Sequence, residues 1–277
     1  MAVFVTLREI LTTTVDRQAM PLLQYFRLIN IMARMALRAD ASRLFLGYIW
    51  WVLEPLLWVG VFYVVFVIIL GTREADFLPF LMVGKLSFVW FSKSVTQASN
   101  SIVASKGLVG KINVPKSLFP MAAVHEGLYR QAAVFAMMFT YVLIDGYAFT
   151  ATWVYLIPVM LVNYVMIIAC ALIGACAVCM ARDFAPLIGL SMMFLMFTSG
   201  VFWDVRELAD TATADMVLTL NPLAFLLDAY RQVLMYGVPP DIGHLLSIGA
   251  GFGAVLCVTV LVMRRASHYL ALKALTA

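Results

Sequence analysis

The residues best suited to chemistry in this chain are a histidine and a glutamate side by side, His125 and Glu126. In zinc proteases such a pair belongs to an H-E-x-x-H helix, where a second histidine four residues after the first completes the metal site. Position 129 is Tyr129, so the second metal ligand is missing here. The other histidines, His244 and His268, lie far along the chain. The sequence therefore argues against a metalloprotease. A membrane enzyme of another kind stays open as an alternative function.

Two further motifs lack the partners that their chemistry needs. Cys176 and Cys179 form a C-x-x-C pattern, but no second cysteine pair or nearby histidine accompanies them. We therefore expect them to pack rather than to bind metal or carry out redox chemistry. Gly110 and Lys111 lack the upstream glycine and the following hydroxyl residue of a phosphate-binding loop. We expect no metal, no cofactor bound by this chain and no ATP hydrolysis by the chain alone.

The remaining reactive side chains are charges placed within apolar sequence, where an unpaired charge is costly. Glu126 and Arg130 stand four residues apart, so they can pair on one helix face, and we favour this pairing over a substrate contact. Glu54 is expected to point into the protein or a wet cavity. Lys85 and Lys93 either extend toward the membrane surface or line a cavity, and both alternatives are open.

These charges fall within long apolar stretches, each able to cross the ~30 Å hydrocarbon core with about 20 helical residues. The chain has 277 residues, of which 64% are hydrophobic and 12% charged, which leaves no room for a soluble domain beside the spans. We predict an all-α polytopic membrane protein, with one domain over residues 1–277 and a six-helix bundle at 47–263. The predicted spans are 47–70, 77–101, 119–144, 152–180, 186–203 and 243–263.

Basic residues orient the predicted spans, because Lys and Arg accumulate on the cytoplasmic side of short loops. Six arginines precede the first span, and three lysines lie between the second and third. Both termini are therefore expected in the cytoplasm. The net charge of +4 is spread along these segments, so we expect membrane lipids rather than nucleic acid as a partner.

An amphipathic helix is predicted at 22–41, before the first span. Arg27, Asn30, Arg34 and Arg38 recur on one side, opposite large apolar side chains. This pattern is typical of a helix that lies in the cytoplasmic membrane interface. A helix packed on a soluble partner is the alternative.

Segment 204–241, before the last span, carries six acidic residues and two arginines. Within it, Asn221 is suited to cap a helix and Pro222 to occupy the first helical position. We predict two short external helices, near 205–218 and 222–236. The apolar face of the second helix would let it dip toward the outer leaflet.

Four local strings lie in or beside the predicted spans: 46–55 (LGYIWWVLEP), 114–116 (VPK), 199–203 (SGVFW) and 221–222 (NP). These strings, together with the order of the elements, resemble the ABC-2 class of export permeases, in particular the membrane subunits of bacterial polysaccharide exporters. The resemblance covers nearly the whole chain, and its Trp-Trp and Val-Pro-Lys strings are more similar to O-antigen permeases than to capsule permeases. Capsular polysaccharide export and lipid or drug export by an ABC-2 permease are the alternatives.

The resemblance implies a homodimer in the bacterial inner membrane, with a channel at the interface between the two copies. Two copies of a separate ATPase, which holds ATP and magnesium, would drive it. The cargo would be a polysaccharide linked to a polyprenyl diphosphate. These are expectations carried by the family.

The resemblance also implies roles for individual residues. The helix at 22–41 and the cytoplasmic loops would couple to the ATPase. Aromatic and apolar residues of the first and fifth spans would line the translocation path. For each ring, packing in the protein core is the alternative. Near the entrance, Arg38 and Arg43 would contact either the diphosphate or ordinary anionic lipids. The expected path residues are Trp51, Trp58, Phe62, Met193 and Phe197. The expected coupling residues are Lys106, Lys111, Asn113, Lys116, Arg182 and Asp183.

Overall fold

The computed structural model describes residues 21–43, 45–71, 76–109 and 114–276, with residues 268, 275 and 276 as backbone only. Within these ranges the chain is helical and contains no strand. Helices α2, α6 and α9 are extended by 3-10 or π segments at 47–49, 64–69, 151–155 and 232–236. The α-helices are α1 (Leu22–Arg43), α2 (Trp50–Tyr63), α3 (Phe77–Ala104), α4 (Lys106–Val109), α5 (Leu118–Ile144), α6 (Leu156–Met180), α7 (Phe184–Thr198), α8 (Thr211–Leu220), α9 (Pro222–Arg231), α10 (Ile242–Arg265) and α11 (Ser267–Thr276).

Four described helices are long and apolar enough to cross a membrane, and a bent pair provides a fifth candidate. The pair joins α8 to α9 and its π extension at an angle of 107°. The prediction of an all-helical, multi-pass membrane protein is confirmed at the level of four or five candidate spans. The four single helices are Gly47–Ile69, Leu118–Ile144, Ala151–Met180 and Ile242–Arg265.

Helix α3, predicted as the second span, is the central helix of the bundle and packs against α5, α6 and α9. At 28 residues it is about 42 Å long, which is sufficient to cross the membrane. Its hydropathy falls below that of the four candidates because it carries Lys85, Lys93 and several hydroxyl and amide side chains. Most of its first 15 residues are buried in protein, so Lys85 and Ser87 need not face lipid. The Lys93 side chain lies further along the helix, is partly exposed and pairs with Glu54.

Helix α7 is shorter than the predicted span at 186–203. It ends at Thr198 after 15 residues, about 22 Å of helix. Gly200 follows with a φ of +69°, a left-handed conformation that glycine adopts readily and that ends a helix. An added Cβ there would lie 2.9 Å from the Val205 side chain, so the turn also requires a residue without one.

The two helices of segment 204–241 begin with capping residues. Asp210 accepts bonds from the backbone N–H groups of Ala212 and Thr213 at the start of α8, and hydrogen bonds from these two residues lower the pKa of the Asp210 carboxyl. Asn221 caps α9 and Pro222 is its first residue, as predicted. Helix α8 begins at Thr211, later than the predicted start near 205, because Asp210 supplies the cap.

Helix α9 is buried in protein, where the sequence suggested a helix dipping toward lipid. All residues from Leu223 to Arg231 are buried, and the helix packs mainly against α3. The Arg231 guanidinium donates to the carbonyls of Phe80, Gly200 and Val201 at 3.3, 2.7 and 3.1 Å. These bonds tie the beginning of α3 to the turn after α7.

Helix α1 packs along α5. Its buried stripe recurs every four residues, at Ile29, Ala33, Leu37 and Ala41, and the Tyr129 hydroxyl of α5 donates to Asn30 Oδ1 at 2.7 Å. Leu22, Phe26, Ile31 and Met35 stay exposed. The helix therefore keeps an unburied apolar side that a membrane interface can receive.

Gly174 of α6 is predicted to be essential for the close packing of α6 on α3. An added Cβ would lie 2.0 Å from Ser99 Oγ and 3.3 Å from Ile188 Cδ1. Gly174→Ala should lower stability by about 1–3 kcal/mol, the usual cost of overpacking, as measured by thermal unfolding of the purified protein in detergent. The control is Gly251→Ala in α10, where an added Cβ has no neighbour within 4 Å. Equal melting temperatures for the two variants would contradict this account.

Candidate functional site

Aromatic rings from α2 and from the end of α7 form one cluster, here called the aromatic cluster: Trp58, Phe62, Phe66, Phe197 and Phe202. Phe202 is at its centre, with ring centroids 4.6 Å from Phe62, 5.7 Å from Phe66 and 5.6 Å from Phe197. Trp58 stacks on Phe62 at 6.3 Å. Trp58 and Phe197 are each 52% exposed, so the cluster has a buried side and an open side.

Four of the five predicted path residues are in or beside this cluster. Trp58, Phe62 and Phe197 belong to it, and Met193 lies one turn before Phe197 on the exposed side of α7. Trp51 lies elsewhere, with its ring 4.8 Å from Tyr48 and 5.6 Å from the Arg130 guanidinium. The structure therefore separates Trp51 from the other four.

Sequence reasoning missed two members of the aromatic cluster. Phe66 follows Trp58 and Phe62 at four-residue intervals, a spacing that places all three on one helix face. That signal was present in the sequence. Phe202 follows the turn at Gly200, and its contact with α2 depends on how α7 ends, which the sequence pattern does not reveal.

A second group, here called the polar junction, connects α1, α3 and α5 through Asp40, Gln97, Glu126 and Arg130. The predicted pair Glu126–Arg130 is confirmed as a direct ion pair. Arg130 Nη2 also lies 3.0 Å from Asp40 Oδ2, and Gln97 Nε2 donates to Glu126 Oε2 at 2.8 Å. Glu126 is only 4% exposed, so its carboxylate depends on these partners.

Glu54 and Lys93 form a separate ion pair between α2 and α3, at 2.7 Å. Both side chains are partly exposed, unlike Glu126. The pair lines a small polar cavity together with Trp51, Gln97 and Arg130. The expectation that Glu54 points into the protein or a wet cavity is confirmed, and Lys93 lines this cavity.

A larger cavity, here called the α1 cavity, opens between α1, α5 and the beginning of the first span. Its volume is about 250 Å³. Arg34 and Arg38 line it, whereas Arg43 lies exposed at the end of α1. The expected contact of Arg38 and Arg43 with the diphosphate or with lipids stays a prediction. Two guanidinium groups beside hydroxyl and indole groups can bind a phosphate group. The lining residues are Arg34, Leu37, Arg38, Tyr48, Trp51 and Tyr129.

The predicted coupling residues differ in accessibility. Lys106, Arg182 and Asp183 are exposed at helix ends. Lys116 is buried, its Nζ donates to the Val109 carbonyl at 3.1 Å, and burial lowers the pKa of its ammonium group. It organises the loop rather than forming an exposed contact. Residues Lys111 and Asn113 lie outside the described part of the chain.

The residues first considered for catalysis have structural partners. His125 Nδ1 lies 3.3 Å from the Tyr164 hydroxyl, whereas Glu126 pairs with Arg130. Cys176 and Cys179 are both free thiols, and Cys179 Sγ donates to the Leu270 carbonyl at 3.1 Å. The His125 contact joins α5 to α6 and the Cys179 contact joins α6 to α11, whereas the Glu126 pair lies within α5.

No family model matches the sequence, but it is similar to curated proteins named O-antigen export system permease protein RfbA. The one from Myxococcus xanthus is 26% identical over 233 residues, which cover 83% of this chain and 88% of the relative. Two from Klebsiella pneumoniae are 23% and 22% identical, cover 76% and 77% of this chain, and 82% of each relative. These distant relatives confirm the predicted resemblance to ABC-2 polysaccharide-export permeases.

Removing the charge of Arg130, in the polar junction, should lower stability more than removing that of Lys93, which lies outside it. Arg130→Met leaves the buried Glu126 carboxylate without its main partner and should destabilise the protein by about 3–5 kcal/mol. Lys93→Met removes a partly exposed pair and should cost no more than about 1 kcal/mol. Thermal or denaturant unfolding in detergent measures both.

A second substitution shows whether the lost stability comes from the unpaired Glu126 carboxylate or from the lost packing of the Arg130 side chain. If the cost arises from the uncompensated carboxylate, Glu126→Gln in the Arg130→Met chain should recover most of the lost stability. A double variant as unstable as Arg130→Met alone would instead assign the loss to the packing of the Arg130 side chain.

Proposed function

We propose that this chain is the membrane subunit of an ATP-driven exporter, which moves a polysaccharide of the O-antigen type, linked to a polyprenyl diphosphate, across the bacterial inner membrane. The observation that carries this proposal is its similarity to O-antigen export permeases over about four fifths of the chain. The function in the names of these relatives favours O-antigen export over the export of capsular polysaccharide, lipid or drugs. A permease of this kind works with a separate ATPase, which would bind the ATP and magnesium.

In this proposal the chain forms a single transmembrane domain with six crossings and both termini in the cytoplasm. Helix α3 makes the second crossing inside the bundle. Helix α7 and the turn after it make the fifth, because α7 alone is too short to cross the full hydrocarbon core. The exposed apolar residues of α2 and α7, including Trp58, Met193 and Phe197, face a second copy of the chain across the path.

The aromatic cluster is suited to a moving sugar chain. Flat rings pack against the apolar faces of sugars, and they do so without hydrogen bonds that would hold one residue of the glycan in place. Trp58 and Phe197 offer exposed rings. Buried Phe202 packs directly against Phe197 and supports Trp58 through Phe62. The rings therefore form a platform held in position by the protein core.

The ATPase is proposed to dock on the layer formed by α1, the loop at 104–118 and the corner at 181–186. Exposed Lys106, Arg182 and Asp183 are the described residues that would contact it, together with Lys111 and Asn113. The diphosphate is proposed to enter through the α1 cavity, where Arg34 and Arg38 supply positive charge. Two guanidinium groups suit the several anionic oxygens of a diphosphate.

The proposed function predicts a division of labour that purified components can test. The isolated chain should hydrolyse no ATP, and a complex with its ATPase subunit should move a polyprenyl-diphosphate-linked glycan into inverted vesicles only when ATP is present. Export of capsular glycan, phospholipid or drug in preference to this cargo would contradict the proposed substrate class. Hydrolysis by the rigorously purified chain alone would contradict the division of labour.

The aromatic cluster predicts a transport defect that is separate from a folding defect. Trp58→Leu keeps an apolar side chain but removes an exposed ring, so export should fall severalfold while the amount of assembled complex stays normal. Phe149→Leu is the matched control, since Phe149 is also an exposed ring but lies outside the cluster. The measurement is exported polysaccharide per assembled complex. Normal export by both Trp58→Leu and Phe62→Leu at normal abundance would remove the aromatic cluster from the path.

A further inference from the structure

Lys85 is a buried cation directly behind the aromatic cluster. Lys85 is 7% exposed, and within the described residues its Nζ has one hydrogen-bond acceptor, the thioether sulfur of Met196 at 3.0 Å. Aromatic rings surround the rest of the ammonium group. The ring centres lie 5.0 Å away for Phe62 and 6.0 Å for Trp58, Phe88 and Phe202.

Four other cations of the described bundle have stronger ion-pair or hydrogen-bond partners than Lys85. Lys93 pairs with a carboxylate at 2.7 Å, and Arg130 and Arg206 also contact carboxylates. Arg231 has three carbonyl acceptors. Within the described ranges, Lys85 has no carboxylate within 4 Å and no carbonyl acceptor.

The surroundings of Lys85 compensate only part of the cost of its burial. An ammonium group has three N–H donors, and a thioether is a weak acceptor. Aromatic faces attract the charge but do not accept hydrogen bonds as an anion does. A buried cation of this kind, in a helix within the membrane, indicates a site whose anionic partner arrives from outside the chain.

The position of the side chain makes such a partner accessible. Phe62 and Phe202 belong to the aromatic cluster, and the half-exposed Trp58 ring is 6.0 Å from Nζ. The Arg231 guanidinium donates to the Phe80 carbonyl of the same helix and lies close to the backbone at Gly84, where an added Cβ would meet it. The flexible four-carbon stem of lysine can therefore carry the charge toward the open side of the cluster while α3 stays in place.

We propose that Lys85 is an anion-binding residue of the translocation path, and that it receives a phosphate or carboxylate group of the cargo at the aromatic cluster. This inference rests on the proposed function and adds a charge requirement to it. Two parts of the cargo can supply the anion. One is the diphosphate that links lipid and glycan, and the other is an acidic sugar within the glycan.

The test uses the complete transporter with its ATPase in vesicles and two defined probes. The first is a polyprenyl-diphosphate oligosaccharide of neutral sugars, and the second is the same molecule with one hexuronic acid. Lys85→Met removes the charge while keeping the length of the side chain, and Lys85→Arg keeps the charge. Lys93→Met, on the same helix, controls for the loss of a lysine.

Loss of the Lys85 charge should slow export about tenfold, the factor expected when one charge-assisted hydrogen bond is lost, and Lys85→Arg should keep most of the rate. A slow rate with both probes identifies the diphosphate as the anion. A slow rate with the hexuronic acid probe alone identifies the acidic sugar. Either result supports the proposal, provided that Lys93→Met exports both probes at the rate of the unmodified transporter or is slowed less than Lys85→Met.

Several results would overturn the proposal. Export of both probes by Lys85→Met at the unmodified rate would show that the charge is not used, and equal defects in Lys85→Met and Lys85→Arg would assign the loss to packing. If Lys85→Met does not assemble, Lys85→Gln is measured instead. If Lys85→Met and Lys85→Gln both fail to assemble while Lys85→Arg assembles normally, the role of Lys85 is structural. If the unmodified complex exports neither probe, the proposed function itself fails, which is a separate result.

Discussion

A charged side chain in hydrocarbon has no hydrogen-bonding partner, so each charge in this chain must be satisfied by the protein, by water or by a ligand. Helix α3 is where this constraint acts most strongly, since it carries two lysines and several amide and hydroxyl groups. Lys93 pairs with Glu54 of α2, and Gln97 donates to Glu126 of α5. The polar side chains of α3 therefore join it to α2 and α5, two of the helices that surround it.

The same constraint connects segment 204–241 to the candidate path. Arg231 is buried and donates to the carbonyls of Gly200 and Val201, directly before Phe202. These bonds fix the turn that ends α7 and place the Phe202 ring against Phe62. The aromatic cluster thus depends on a cation that is far from it in sequence, and the buried α9 helix serves to hold that cation in place.

Local sequence patterns were sufficient to predict much of the fold. Apolar length located the four candidate spans to within a few residues, the four-residue spacing predicted the Glu126–Arg130 pair, and the capping preference of Asn221 predicted the start of α9. Each of these features depends on neighbours within one or two helical turns. The six-crossing arrangement and the residue roles carried by the family stay predictions.

Features that depend on distant contacts were not predictable in the same way. Lys85 meets Met196 111 positions later, and Arg231 meets Phe80 151 positions earlier. The α1 cavity likewise combines Arg34, Tyr48 and Tyr129 from three elements. The sequence identified Lys85 as unusual but left its surroundings open, because only the packed bundle shows that rings and a thioether surround it.

The polar junction gives a physical route between the two ends of the proposed mechanism. Asp40 lies on α1, the proposed docking helix, and its ion pair with Arg130 is 3.0 Å long. The same guanidinium lies over the Trp51 ring of the first span and pairs with buried Glu126. A shift of α1 would stretch the Asp40 contact, while the Glu126 pair, which is costly to break, would hold Arg130 on α5. In the proposed mechanism, a displacement of α1 would therefore reach the beginning of the first span at the wall of the α1 cavity, where Arg38 of α1 and Trp51 lie together.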